Sequence, residues 1–170
     1  MLVTVGMGRF PFDRLLRAVA PLCDRWNVFA QTGSSAVGLP CRATPFLPAD
    51  ELTALLESVP IVITHAGNTV RLVQNLGKVP IAVARRAEFG EMADDHQVAY
   101  AEHERERGRI IVVEPEAAAL LDAVRTFPAV SDGLMQRPIP PAVSGEALAD
   151  RLDEIVNGLA RRRRRERSMR

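Results

Sequence analysis

The stretch IVITHAGNTVRLV, residues 61–73, runs three apolar residues into Thr64, His65, Ala66, Gly67, Asn68 and Thr69, and a helical pattern follows at once. A connection that only had to turn could use Gly or Asn alone. Here a buried strand meets a helix N-terminus, where unpaired N–H groups and the positive end of the dipole favour an anion such as phosphate. Gly67 lets the backbone come close to a ligand, and His65, Asn68 and Thr69 add side-chain donors. A protonated His65 would make a charge-assisted bond to phosphate. The bland alternative is a capped helix with Thr64 or Asn68 as its cap.

Two further segments carry a surplus of polar groups. VGMGRFPF, residues 5–12, offers Gly6 and Gly8 for close backbone approach, though it lacks the full spacing of a dinucleotide fingerprint. RRAEFGEMADDHQ, residues 85–97, gathers two Arg, four acids, a His and a Gln around Gly90. Asp95, His96 and Gln97 suit hydrogen bonding to a polyhydroxylated ligand. No second His stands at ligand spacing from His96, so the segment is not read as a metal site. Neither a Ser-His-Asp set nor a carboxylate pair marks a complete active site.

These segments need a scaffold that brings them to one edge. Short apolar strands (2–6, 27–33, one near 43–47, 61–64, 80–84, 110–114) alternate with helical patterns (12–23, 48–59, 68–76, 93–107, 116–127). Such alternation, with nearly continuous Val/Ile runs, predicts an α/β fold: a doubly wound, Rossmann-like parallel sheet covered on both faces. In such sheets ligands bind outside the carboxyl ends of the strands, where all three polar segments fall. The expected division is a sheet domain over 1–127, a Pro-containing connector and final helix over 128–160, and a basic tail over 161–170. The final helix, 145–160, carries the stripe Leu148, Leu152, Ile155, Val156 and Leu159, for this domain's core or for another subunit.

Composition narrows the classes. The chain has 170 residues, 47% apolar and 25% charged, which suits a globular domain with a real core. No apolar run approaches the roughly 20 residues needed to span a bilayer, and the N-terminus lacks a signal-peptide pattern, so a cytoplasmic location is expected. Cys23 and Cys41 fit no metal or redox motif and read as buried free thiols. Residues 161–170 hold seven Arg and one Glu, or +6, while the whole chain is +1, which leaves −5 on residues 1–160. A mildly acidic body excludes a nucleic-acid-binding domain. The tail could meet an anionic membrane surface or an acidic partner, or be a solvated end.

Taken together, VTVGMGRFPFDRLL, FAQTG, ITHAGNTV, LGKVPIAVARR and FGEMADDHQVAYAE resemble, in order and spacing, the C-terminal domain of glycosyltransferase family 28 over about residues 1–127. The likeness is to its short single-domain members, the Alg13- and PssE-like subunits. It implies the donor-binding half of a GT-B enzyme, an inverting glycosyltransferase using a UDP-sugar with no metal or other cofactor. The acceptor and the general base would belong to a membrane-associated Alg14- or PssD-like subunit, which would hold the chain at the inner face of the membrane; alone, the chain could pair with a second copy. The resemblance assigns Gly6, Gly8, His65 and Gly67 to the diphosphate, beside the donors Asn68 and Thr69 already read there, and Asp95, His96 and Gln97 to the sugar. Phe46, Gln74 and Glu91 would serve the nucleoside.

Two positions depart from the family pattern. Val70 stands where a hydroxyl is usual, with Thr69 one place early, and Val73 stands where a carboxylate often binds ribose, with Gln74 beside it. These departures leave a second reading open, a non-catalytic sugar-nucleotide sensor or scaffold.

Overall fold

A computed structural model describes residues 1–135 and 149–157. Six strands form one parallel sheet: β1 (Leu2–Thr4), β2 (Phe29–Gln31), β3 (Arg42–Thr44), β4 (Val62–His65), β5 (Ile81–Val83) and β6 (Ile111–Val112). Their order is β3-β2-β1-β4-β5-β6, so the chain runs outward from β1 to one edge, then returns to its other side. The reversal lies between β1 and β4, where Leu2, Val3 and Thr4 pair with Val62, Ile63 and Thr64. That point is the crevice in which doubly wound sheets bind ligands.

Helices α1 (Asp13–Val19), α2 (Ala49–Ser58), α3 (Asn68–Asn75), α4 (His96–Glu106) and α5 (Ala117–Met135) cover the sheet. Alternation along the strands assigns the faces. Val3, Val5, Ile63, Ile81 and Val83 pack with Phe12, Leu15, Leu16, Val19, Leu120, Val124 and Phe127 from the α1 and α5 segments. On the other face, Leu2 and Val62 meet Leu56 of α2 and Val73 of α3, and Ala82 meets Val70 of α3 and Ala101 of α4. Parallel strands buried on both faces need this apolar character at every position, which explains the Val/Ile runs.

Several boundaries correct the sequence reading. Helix α1 stops at Val19, and Ala20–Leu22, with Pro21 inside it, tightens into a 3-10 turn. Helix α4 starts at His96 and not at residue 93: Asp95 is its N-cap, and just before it the Asp94 carboxylate accepts from the His96 N–H (3.0 Å). Helix α5 does not end at Phe127: it continues through Pro128 to Met135. Leu120, Val124, Phe127 and Ser131 are all buried, so one apolar face runs past the proline. The missing proline N–H costs a single helical bond, and the burial of this face outweighs it.

The reading of two free thiols is also corrected: Cys23 and Cys41 are joined in a disulfide, with their Cα atoms 5.4 Å apart. Cys23 closes the 3-10 turn after α1, and Cys41 enters the edge strand β3. The fold brings together positions that spacing alone did not relate.

The chain comprises two compact units, Met1–Pro138 and Ile139–Arg170. In the second, residues 149–157 form a helix on which Leu152, Ile155 and Val156 are exposed. The other expectations for that region, Leu148, Leu159 and the basic tail, lie outside the described residues. Among the described residues no helix is long and apolar enough to cross a membrane.

Candidate functional site

A cavity of about 200 Å³ opens at the carboxyl ends of β1, β2 and β4. Thr4, Gly6, Gln31, His65, Asn68 and Thr69 supply its polar lining, and Met7, Leu47, Leu52 and Leu72 its apolar lining. Helix α3 begins here with Gly67 as its N-cap, and no side chain caps it. The capped-helix alternative therefore fails; the Val70 N–H turns back to the Gly67 carbonyl (3.0 Å), and the amides of Asn68 and Thr69 are left without a side-chain cap. Thr69 lines the cavity, whereas Val70 is fully buried beneath it. The hydroxyl-bearing residue sits one place early in the sequence yet lines the crevice.

The imidazole of His65 occupies the space between two glycines. A Cβ on Gly6 would lie 2.6 Å from its Cε1, and one on Gly67 would lie closer still to Nε2. Gly6 also has φ +80°, a conformation that side chains rarely adopt. Burial, and secondarily the charge of Arg85, push the His65 pKa down to about 4, against a hydrogen bond to the Thr4 backbone that raises it. Without a ligand the ring is therefore neutral at neutral pH.

Gln31 organises the first glycine turn. Its Oε1 accepts from the Thr4 hydroxyl (2.6 Å) and the Gly6 N–H (3.1 Å). Its Nε2 donates to the Gly6 carbonyl (2.9 Å) and the Pro45 carbonyl (2.8 Å). One buried amide thus fixes the turn after β1 against the loop after β3. Sequence reasoning missed it, although a Gln inside the apolar strand of FAQTG was itself a signal, because a buried amide must find partners.

The other candidate residues divide. Phe46 is exposed beside Leu47. Gly8 is exposed, and its carbonyl accepts from the Ser34 hydroxyl (2.9 Å). Gln74 points away from the cavity and donates to Glu104 Oε2 (2.9 Å), and Val73 is in the core. Glu91 is buried, gripped by Arg14 through Nε (2.9 Å) and Nη2 (2.8 Å), and it also accepts from the Arg86 N–H (3.1 Å).

Asp95, His96 and Gln97 do not line the cavity. Asp95 accepts from the Ala87 N–H (2.8 Å), His96 pairs with Asp94, and Gln97 Oε1 accepts from the Arg85 N–H (3.3 Å). Their bonds shape the β5–α4 loop. Among the described residues no three His, Cys, Asp or Glu side chains group as metal ligands.

Solved structures share this architecture. MurG of Acinetobacter baumannii matches 79% of this chain at 18% identity, with a TM-score of 0.57 over 44% of MurG. The spinosyn forosaminyltransferase SpnP matches 92% of the chain at 22% identity, with a TM-score of 0.55 over 43% of SpnP. What the likeness shows is the fold, a six-stranded, all-parallel α/β sheet of Rossmann-like type. No family model matches the chain, and no curated protein matches it in sequence. The chain spans less than half the length of either structure.

In this doubly wound sheet the cavity lies at the reversal of strand order, where the fold alone would place a ligand. Arg14 and Arg85 are the remaining groups that sequence reasoning passed over. Both lie in quoted segments, and both hold the loops around the cavity in place.

Proposed function

We propose that the chain is the donor-binding part of an inverting glycosyltransferase that uses a UDP-sugar. The observation that carries the reading is the uncapped N-terminus of α3, which meets the Gly6 turn and a neutral His65 in one cavity at the strand reversal. A diphosphate there would accept from the first amides of α3, from Asn68 and Thr69, and from one nitrogen of His65. The apolar wall of Leu47, Leu52 and Leu72 suits a nucleobase, with Phe46 near its rim. Asp95, His96 and Gln97 would reach the sugar through a shift of the β5–α4 loop.

In the reaction, an acceptor hydroxyl attacks the anomeric carbon as the bond from that carbon to the β-phosphate oxygen breaks. UDP leaves, and a base takes the hydroxyl proton. The α3 amides stabilise the charge that builds on the leaving diphosphate, which is the work a cation does elsewhere, so no metal is invoked. The base is not in the cavity: no carboxylate lines it, and a histidine with a pKa near 4 is a weak base at neutral pH. On this reading base and acceptor come from a second body, an Alg14- or PssD-like membrane-associated subunit. The Arg-rich tail would reinforce contact with that subunit or with an anionic membrane at its cytoplasmic face.

The test is a titration of the full chain with UDP and with dTDP, followed by amide resonances. UDP should shift Gly67, Asn68, Thr69 and Gly6; unmoved resonances at millimolar nucleotide would remove the reading. The sensor reading draws on one observation, that Gln74 is engaged by Glu104 and Val73 is in the core, so neither reaches a ribose. UDP binding with no transfer in the presence of the acceptor subunit would favour it.

A further inference from the structure

Arg85 follows β5 and is only 3% exposed, a rare place for a guanidinium. Its Nη1 donates to the carbonyls of Phe10 (2.9 Å), Pro11 (3.1 Å) and Glu91 (3.0 Å), and its Nη2 donates to that of Val5 (2.7 Å). The guanidinium carbon lies 4.6 Å from the centre of the Phe12 ring. All four acceptors are neutral main-chain oxygens. The nearby Glu91 carboxylate is held by the fork of Arg14.

These acceptors have a plan. Val5 lies before residues 6–9, and Phe10 and Pro11 lie after them, so one guanidinium ties both ends of the turn that brings Gly6 and Met7 to the cavity. Glu91 belongs to the β5–α4 loop, so the same group joins that turn to the segment carrying Asp95, His96 and Gln97. The charge is also felt in the cavity, since it helps to keep His65 unprotonated.

We infer that Arg85 is a positioning residue for the anion site: a buried cation that fixes the Gly6 turn against the β5–α4 loop and adds positive potential without touching the ligand. The inference rests on the donor-site reading above. It assigns the site two supports, Gln31 holding the turn at Gly6 and Arg85 holding it at Val5, Phe10 and Pro11.

Two variants of the full chain separate geometry from charge. Arg85→Lys keeps the charge, but a single ammonium cannot span four carbonyls as the planar fork does. Its His65 should still titrate near 4, while UDP binds about tenfold more weakly or worse, because a misplaced turn misaligns the donors. Arg85→Met removes both, so the His65 pKa should also rise, stopping short of its ordinary value because burial is the larger cause. A merely structural residue would lower the melting temperature without moving His65.

UDP affinity equal to wild type in both variants, or an unmoved His65 titration in Arg85→Met, would overturn the inference. Should either variant fail to fold, the Arg85 guanidinium resonances of the wild type decide the matter: they should shift as UDP saturates the chain, and their constancy would overturn it. If UDP does not bind the wild type at all, the donor reading falls. The His65 titrations in the ligand-free variants then decide the role of the charge on their own.

Discussion

A histidine held neutral by its surroundings leaves a mark on stability. The unfolded chain would protonate His65 near its ordinary value of 6.5, and the folded chain only near 4. Between those values the unfolded state binds more protons, so stability falls as pH drops from 6.5 toward 4 and levels off below. The partly exposed ring limits the loss to about 2–3 kcal/mol. A series of melting temperatures over that range should show the slope in wild type and a flatter one in His65→Gln. An equal slope in both would mean that the ring protonates normally in the fold. Because a neutral donor is weaker than a charged one, His65→Ala should cost about 0.5–1.5 kcal/mol of UDP affinity at pH 7.5. The glycines deepen the point. Sequence reasoning gave Gly67 to the ligand, yet a Cβ there would collide first with His65. Gly67→Ala should displace the ring, destabilise the fold by about 1–3 kcal/mol and abolish the His65 response to UDP. Spacing made HAG legible as a site, but only three-dimensional proximity shows that its residues, with Gly6, serve one another.

At the scale of elements, loops near the cavity are held by side chains reaching back from helices and strands. Arg14 of α1 grips Glu91 with two nitrogens and also donates to the Ala84 carbonyl (3.2 Å), so α1 is tied to the end of β5 and the loop after it. Removing one partner of a buried pair strands the other charge. Arg14→Met should cost about 2–4 kcal/mol in denaturant unfolding, below the full buried-pair figure because Arg14 is partly exposed. A loss under half a kcal/mol would show that Glu91 finds water in place of the guanidinium. The elements themselves were legible because continuous apolar runs and period-3.6 apolar patterns report burial directly. What misled was local punctuation read without tertiary context. Pro128 looked like a stop, but the buried face through Phe127 and Ser131 carries α5 past it. Glu91 matched a family position, but Arg14, 77 residues away, decides where its carboxylate points. Pair contacts at such separations leave no spacing signal in a single sequence.

For the whole molecule, the Met1–Pro138 unit contains all three apolar clusters and every residue lining the cavity. Folding and nucleotide binding should therefore both reside in it. A chain cut after Pro138 should keep its far-ultraviolet spectrum and bind UDP within about twofold of the full chain, since no cavity residue is removed. The second unit has a different use on this view. The helix over 149–157 exposes Leu152, Ile155 and Val156 on one stripe, and exposed apolar stripes are costly unless something covers them. Under the donor-subunit reading that cover is the acceptor subunit, so the truncated chain should no longer co-purify with it, and sugar transfer by the mixture should fall to background. Leu152→Asp with Val156→Asp in the full chain should reproduce that loss while leaving UDP binding intact. Sustained transfer by the truncated chain with the acceptor subunit would place the contact on the sheet unit. Failure of the truncated chain to fold would instead make the terminal helix part of this domain's own core.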